Sequence, residues 1–190
     1  MAEYFEDKTF TAEDLGDRPL VKGEYEYCRF ENCNFERMDL SEMKFVDCTF
    51  SHCNLSLATL EHSMIQDAKF EHCKLLGLKF DSCNPFNLSF SFDHCILDHS
   101  SFYQCKLKKT KFISCKLHEV DFESADLLQA YFEYCDLLNS TFLNSNLEKA
   151  DFSTCINIQL DLDQNTVKGA KFSISSLPDL LVKYKIQVTG

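Results

Sequence analysis

The chain is short of positive charge, with 19 Lys and Arg against 30 Asp and Glu and a formal net charge of −11 over 190 residues. That balance disfavours direct binding to nucleic acid, whose phosphates are gripped by cations. Glycine is scarce, five residues in all, and neither a glycine-rich phosphate loop nor a Ser-His-Asp order is present, so an enzyme is not expected and no catalytic residue or cofactor is assigned. The eleven cysteines form no CxxC pair, which removes the usual zinc and redox motifs, and no metal site is assigned. A polar, acidic N-terminus in place of a signal peptide predicts a cytoplasmic, reducing location with no membrane partner.

Also missing are both periods of ordinary secondary structure. Hydrophobic residues recur neither every 3.6 positions, as on a helix face, nor every second one, as in a strand. They recur every fifth, through Phe92, Leu97, Phe102, Leu107, Phe112, Leu117, Phe122, Leu127, Phe132, Leu137, Phe142, Leu147 and Phe152. The same spacing runs from Phe30 to Phe80, before a break near Pro85 where two extra residues enter. A fixed short repeat demands a chain that turns after each unit, which is a solenoid.

A second rule governs the residue two before each central hydrophobe. From Cys95 to Cys155 it is always small or medium, and all eleven cysteines of the chain occupy this slot. A slot so restricted points inward, and a buried cysteine there acts as a small hydrophobe. Cys95, Cys115, Cys135 and Cys155 are expected in one column as free thiols. The other three positions of each unit carry nearly all the charge and face water, His52 and His72 among them, one above the other.

The units Ser-Thr-Phe-Leu-Asn (140–144), Ser-Asn-Leu-Glu-Lys (145–149) and Ala-Asp-Phe-Ser-Thr (150–154) resemble the pentapeptide repeat A(D/N)LXX, and the resemblance spans residues 20–172. It implies an all-β fold, a right-handed quadrilateral parallel β-helix in which four pentapeptides make one square coil and coils stack about 4.8 Å apart. Phe92, Phe112, Phe132 and Phe152 would then form one column, with Phe102, Phe122 and Phe142 opposite.

The ends read differently. Residues 1–19 place Glu3, Lys8, Glu13 and Arg18 in the inward slot, too costly to bury unpaired, and are assigned as an N-terminal cap. An irregularity is expected at 81–91. Residues 173–190 predict a short helix with the apolar face Leu177, Leu180, Leu181 and Tyr184, then a strand through Ile186 and Val188, together a cap and a dimer contact.

The closing unit Gly-Ala-Lys-Phe-Ser (169–173), Leu180-Leu181 and Ile186-Gln187-Val188 resemble the gyrase-interacting branch of that family, which includes Qnr-type, MfpA-type, microcin B17 immunity and albicidin-protection proteins. The resemblance implies a homodimer joined through its C-terminus that mimics duplex DNA. Its protein partner would be DNA gyrase or topoisomerase IV, protected from a poison. The nearly loopless rod fits immunity against a peptide-type poison better than quinolone protection.

Charge is uneven along the chain. Residues 118–163 hold ten acids and one base, whereas residues 51–117 hold six acids and eight bases. The carboxylates assigned to partner binding are Asp121, Glu123, Asp126, Glu133, Asp136, Glu148 and Asp151. Lys106, Lys108, Lys109, Lys111 and Lys116 read as a solvated patch or a protein contact. The competing reading is a scaffolding β-helix with another protein partner, since fold does not fix function.

Overall fold

The structure, a computed structural model, describes residues 3–16 and 18–186. The chain winds as a parallel β-solenoid of about eight turns. Strands pair in parallel with the one twenty residues on, as in Phe30↔Phe50 and Phe112↔Phe132, or twenty-two across the break. One face is a nine-stranded sheet running from Thr9–Thr11 to Lys171–Phe172, and another is a four-stranded sheet from Glu3–Glu6 to Met64–Gln66. The remaining sides are held by single bridges such as Asp126↔Asn146.

The square shape comes from the residue two after each central hydrophobe. It takes the left-handed conformation, with φ of 61° at Lys109, 55° at Glu119 and 58° at Gln129. The corner N–H then points along the rod and donates to the next coil, Lys109 to Leu128 O at 2.9 Å and Glu119 to Leu138 O at 2.9 Å. Neighbouring coils thereby satisfy the polar backbone that each turn exposes.

The predicted columns are present. Phe92, Phe112, Phe132 and Phe152 stack with ring centroids 5.2, 4.6 and 4.7 Å apart. Phe80, Phe102, Phe122 and Phe142 stack likewise, at 4.6, 5.2 and 5.0 Å. The two columns meet edge to face, Phe112 against Phe122 at 6.0 Å and 89°, the geometry that ring quadrupoles favour. In these coils leucine fills the other two sides, whereas Tyr25, Phe35, Phe45 and Ile65 occupy them upstream, and all eleven cysteines are buried and free.

The break does not divide the rod. Phe70 pairs directly with Phe92, so residues 84–89 bulge outward while the stack continues across them. Phe90 turns in beside Phe80 and Phe92, at 5.0 and 5.1 Å. Preserved register makes the thiol column longer than four: Cys53 donates to Phe30 O, Cys73 to Phe50 O and Cys95 to Phe70 O, each at 3.3 Å, and Cys135 and Cys155 continue the series. His94 joins the imidazole ladder in the same way, with rings 4.8 Å from His52 to His72 and 4.9 Å from His72 to His94.

At the N-terminus, Phe5 and Phe10 stack on Tyr25 and Phe30 at 4.7 and 5.2 Å, so residues 3–11 form the first half-coil. Glu3 and Lys8 are exposed there. The short helix Ala12–Leu15 follows, with a capping box between Thr11 and Asp14. At the far end the α-helix is only Leu177–Leu180, between 3-10 turns at Ile174–Ser176 and Val182–Tyr184. Ile186 lies in no strand, and Gln187 and Val188 fall outside the described residues. Among the described residues no helix is long and apolar enough to cross a membrane.

Candidate functional site

The four faces can be named by their central residues: the first by Phe112 and Phe132, the second by Leu117 and Leu137, the third by Phe102 and Phe122, the fourth by Leu107 and Leu127. The seven carboxylates singled out in the sequence do not gather on one of them. Glu133 and Asp151 lie on the first, Asp136 on the second, Asp121 and Glu123 on the third, and Asp126 and Glu148 on the fourth. All seven are half-buried.

Four of the seven are engaged within the rod. Asp126 lies 3.2 Å from Lys108 Nζ and accepts from Asn146 Nδ2 at 2.9 Å. Asp136 meets His118 Nε2 at 2.7 Å, Asp151 meets Lys171 Nζ at 2.9 Å, and Glu148 lies 3.8 Å from Lys149 Nζ. Burial opposes ionisation of Asp136, yet hydrogen bonds from Asn157 and His118 outweigh it and hold the carboxyl below its ordinary range. Burial likewise opposes ionisation of Asp151, and Lys171 and Ser153 outweigh it. Only Asp121, Glu123 and Glu133 have no ion-pair partner among the described residues.

Glu133 belongs to a column on the first face that includes Glu31, Glu71 and Asp93. Beside it runs a basic column of Arg29, Lys69, Lys111 and Lys171, so this face is nearly neutral, and Arg29 and Glu31 pair at 3.3 Å. The third face has no such compensation. Stacking brings Asp121 and Glu123 into line with Asp39, Glu42, Glu61 and Asp81, and none of the six makes an ion pair among the described residues. The register is fixed by Asp39↔Thr59, Lys79↔Ser101 and Ser101↔Asp121, by Glu42 N–H donating to Glu61 O at 2.9 Å and by His62 N–H donating to Ser82 O at 2.9 Å. Between the coils of Leu40 and Phe122, Lys79 is the one base this face presents. The strip is four coil steps long, about 19 Å at strand spacing.

Asp39, Glu42, Glu61 and Asp81 were missed in the sequence because they lie in segments whose linear charge is mixed. The usable signal was the offset of Asp39, Glu61 and Asp81 from Asp121 and Glu123 in steps of twenty, corrected by two residues at the break; Glu42 stands on the adjoining corner, one residue off that series. Asp121 also has a local task, since its Oδ1 accepts Glu123 N–H at 2.8 Å.

The assigned dimer face is partly consumed by the chain itself. Leu180 is buried and Leu181 half-buried, whereas Leu177 and Tyr184 are exposed. The most open apolar side chains at that end are Ile174 and Val182, 87% and 65% exposed. Lys183 Nζ reaches both Asp161 and Asp163 at 2.5 Å, and Tyr184 Oη donates to Asp163 at 3.1 Å. Lys183 lowers both carboxyls below their usual range. Among the described residues no group of three or more His, Cys, Asp or Glu is placed to hold a metal ion.

A square-coiled β-solenoid with an acidic strip along its third face is the class these features define. Residues 24–91 and 80–152 match the family described as Pentapeptide repeat region, and the chain belongs to the pentapeptide-repeat family. No curated protein matches it. Among solved structures, a trypsin-treated form of QnrB1, a plasmid-mediated fluoroquinolone resistance protein, is similar at 18% identity and a TM-score of 0.65, covering 99% of this chain and 98% of that one. HetL, a pentapeptide-repeat protein involved in heterocyst differentiation regulation in the cyanobacterium Nostoc sp. strain PCC 7120, is similar at 16% identity and a TM-score of 0.68, covering 90% and 83%.

Proposed function

We propose that this protein is a DNA mimic that binds a type II topoisomerase, DNA gyrase or topoisomerase IV, and protects it from a poison. The observation that carries the reading is the unpaired acidic strip of the third face. Six carboxylates over about 19 Å against one lysine present a basic DNA-binding saddle with what duplex DNA presents, a line of fixed negative charge. The known role of QnrB1 in fluoroquinolone resistance and the gyrase-interacting branch that the closing repeat resembles point the same way. A homodimer through the C-terminal end would double the length of the strip, with Ile174, Leu177, Val182 and Tyr184 as the contact.

The test is gyrase supercoiling with and without a poison. Glu61→Gln, Asp81→Asn, Asp121→Asn and Glu123→Gln together keep the oxygen acceptors, including the one at Asp121, and should weaken inhibition or protection at least tenfold. The matched set on the compensated face, Glu31→Gln, Glu71→Gln, Asp93→Asn and Glu133→Gln, should change it less than threefold. Binding should weaken as salt rises. Equal loss in both sets, or none in either, would refute mimicry by the third face. A parent protein without effect on any type II topoisomerase would favour a scaffold binding another protein.

A further inference from the structure

The bulge at residues 84–89 opens the wall of the rod where the fourth face meets the first. Elsewhere on this side coils are bonded through the main chain, as Asp126 N–H donates to Cys105 O at 2.9 Å. The equivalent N–H of Lys106, which the register carries to Cys83 O, has no protein partner among the described residues. The result is a groove of about 370 Å³ lined by Lys69, Lys106, Lys109 and Lys111, with Ser89 and Ser91 between them, within the size range of small-ligand sites. These four lysines are exposed and none has a carboxylate within ion-pair distance among the described residues, whereas the neighbouring Lys108 is paired with Asp126 and Lys116 with Asp98. Two carboxylates stand nearby: Asp67 at one margin, bonded to Ser89 Oγ at 3.0 Å, and Asp81 beside the adjoining hollow.

A further hollow shares Leu88 and Lys106 with the groove and extends it to Phe86, which is 68% exposed. Four lysines without direct ion-pair partners among the described residues, and a free N–H, call for an anion of several charges. A bare aromatic face at the end of the same groove calls for a flat partner. A long polyanion is poorly suited, since the acidic third face and the carboxylates beginning at Glu119 lie within a coil or two, and at strand spacing a duplex about 20 Å wide would run over them. A compact polyanion need not leave the groove.

We propose that this groove binds a nucleoside di- or triphosphate, with the phosphates on Lys69, Lys106, Lys109 and Lys111 and the base stacked on Phe86. Base stacking on an aromatic side chain tolerates any base, so ATP and GTP should bind alike. The site is separate from the acidic strip and does not depend on the topoisomerase reading.

Calorimetric titration of the full chain at 0.15 M salt with tripolyphosphate, ATP, GTP and a short DNA duplex tests it. Tripolyphosphate should bind below millimolar, ATP and GTP at least fivefold tighter, and the duplex more weakly than either. Phe86→Ala should bring ATP to the level of tripolyphosphate, and the double variant Lys106→Ala, Lys109→Ala should weaken both at least tenfold. Independently of any variant, ATP should protect Lys69, Lys106, Lys109 and Lys111 from acylation in the parent protein while leaving Lys171 reactive. Absence of binding, equal affinity for ATP and tripolyphosphate, tighter binding of the duplex, or no lysine protection would each overturn the assignment.

Discussion

Replacing Phe132 with Ala tests whether the rod is held together by its ring columns. The ring is fully buried, stacked between Phe112 at 4.6 Å and 5° and Phe152 at 4.7 Å and 20°, and met edge-on by Phe122 at 5.9 Å. Removing it forfeits about 1.5–3 kcal/mol of transfer free energy and two stacked pairs of about 0.5–1.5 kcal/mol each. The sum agrees with the ~3–5 kcal/mol usual for a core Phe→Ala change. The same change at Phe172 should cost less than half as much, because that ring is half-buried and stacks on Phe152 alone, at 5.6 Å. Urea unfolding gives both values if the slope is unchanged. In a solenoid each coil touches only its neighbours, so hydrogen exchange should accelerate first around residues 110–155. A loss below about 1 kcal/mol at Phe132, or equal losses at the two sites, would refute a core built from stacked columns.

The thiols should be slow to label in the native protein at pH 8 and react fully after denaturation, since burial pushes Cys48 and Cys105 up to about 12; fast native labelling of several would show that the inward slot opens. At the corners, Glu119→Val should destabilise by about 1–2 kcal/mol, because a β-branched residue resists the left-handed conformation, while Glu119→Gly should cost far less; equal losses in thermal unfolding would show that the corner conformation is not what matters. At the C-terminus, light scattering should find a dimer at micromolar concentration and a folded monomer for Val182→Asp, a charge in an apolar contact being left uncompensated; a wild-type monomer would defeat the proposed contact.

Much of the fold was legible because each pentapeptide repeats one steric problem. The central Phe or Leu fills the coil, and the residue two before it must be small. The residue two after it turns the corner, where Asn, His, Gln, Lys and Glu recur and β-branched residues are avoided. Thr154 is the informative exception. It occupies a corner slot but is absent from the left-handed set, the turn passes to Asn157, and Ile158 is buried in place of the residue five after Phe152. Thr154 Oγ1 then accepts the Tyr134 N–H at 2.9 Å, replacing the carbonyl that a regular corner meets.

What escaped the sequence was chiefly neighbourhood across the break. Two inserted residues hid the link from Cys73 to Cys95 and from His72 to His94, because the bulge absorbs them outside the stack. The N-terminal charges follow from position at the end of the rod. Glu3 and Lys8 sit in inward slots, yet among the described residues no coil stacks outside the first half-coil, so those side chains reach water while Phe5 and Phe10 still cover Tyr25 and Phe30.

The acidic face carries the same lesson about charge. Adjacent residues on a corner point in different directions, whereas residues twenty apart are about 5 Å apart on one face. Electrostatic neighbours are therefore set by n and n+20, and charge summed over consecutive residues mixes four faces. On the first face acids and bases form parallel columns that offset one another. On the third, Glu61 and Asp81 occupy successive coils with no base paired to either among the described residues, although like charges on neighbouring strands are destabilising. Packing gains nothing from that arrangement, since neither side chain reaches the core. An uncompensated column that the fold must tolerate, on the same rod as a first face whose columns offset one another, is the surface that the proposed basic partner would complete.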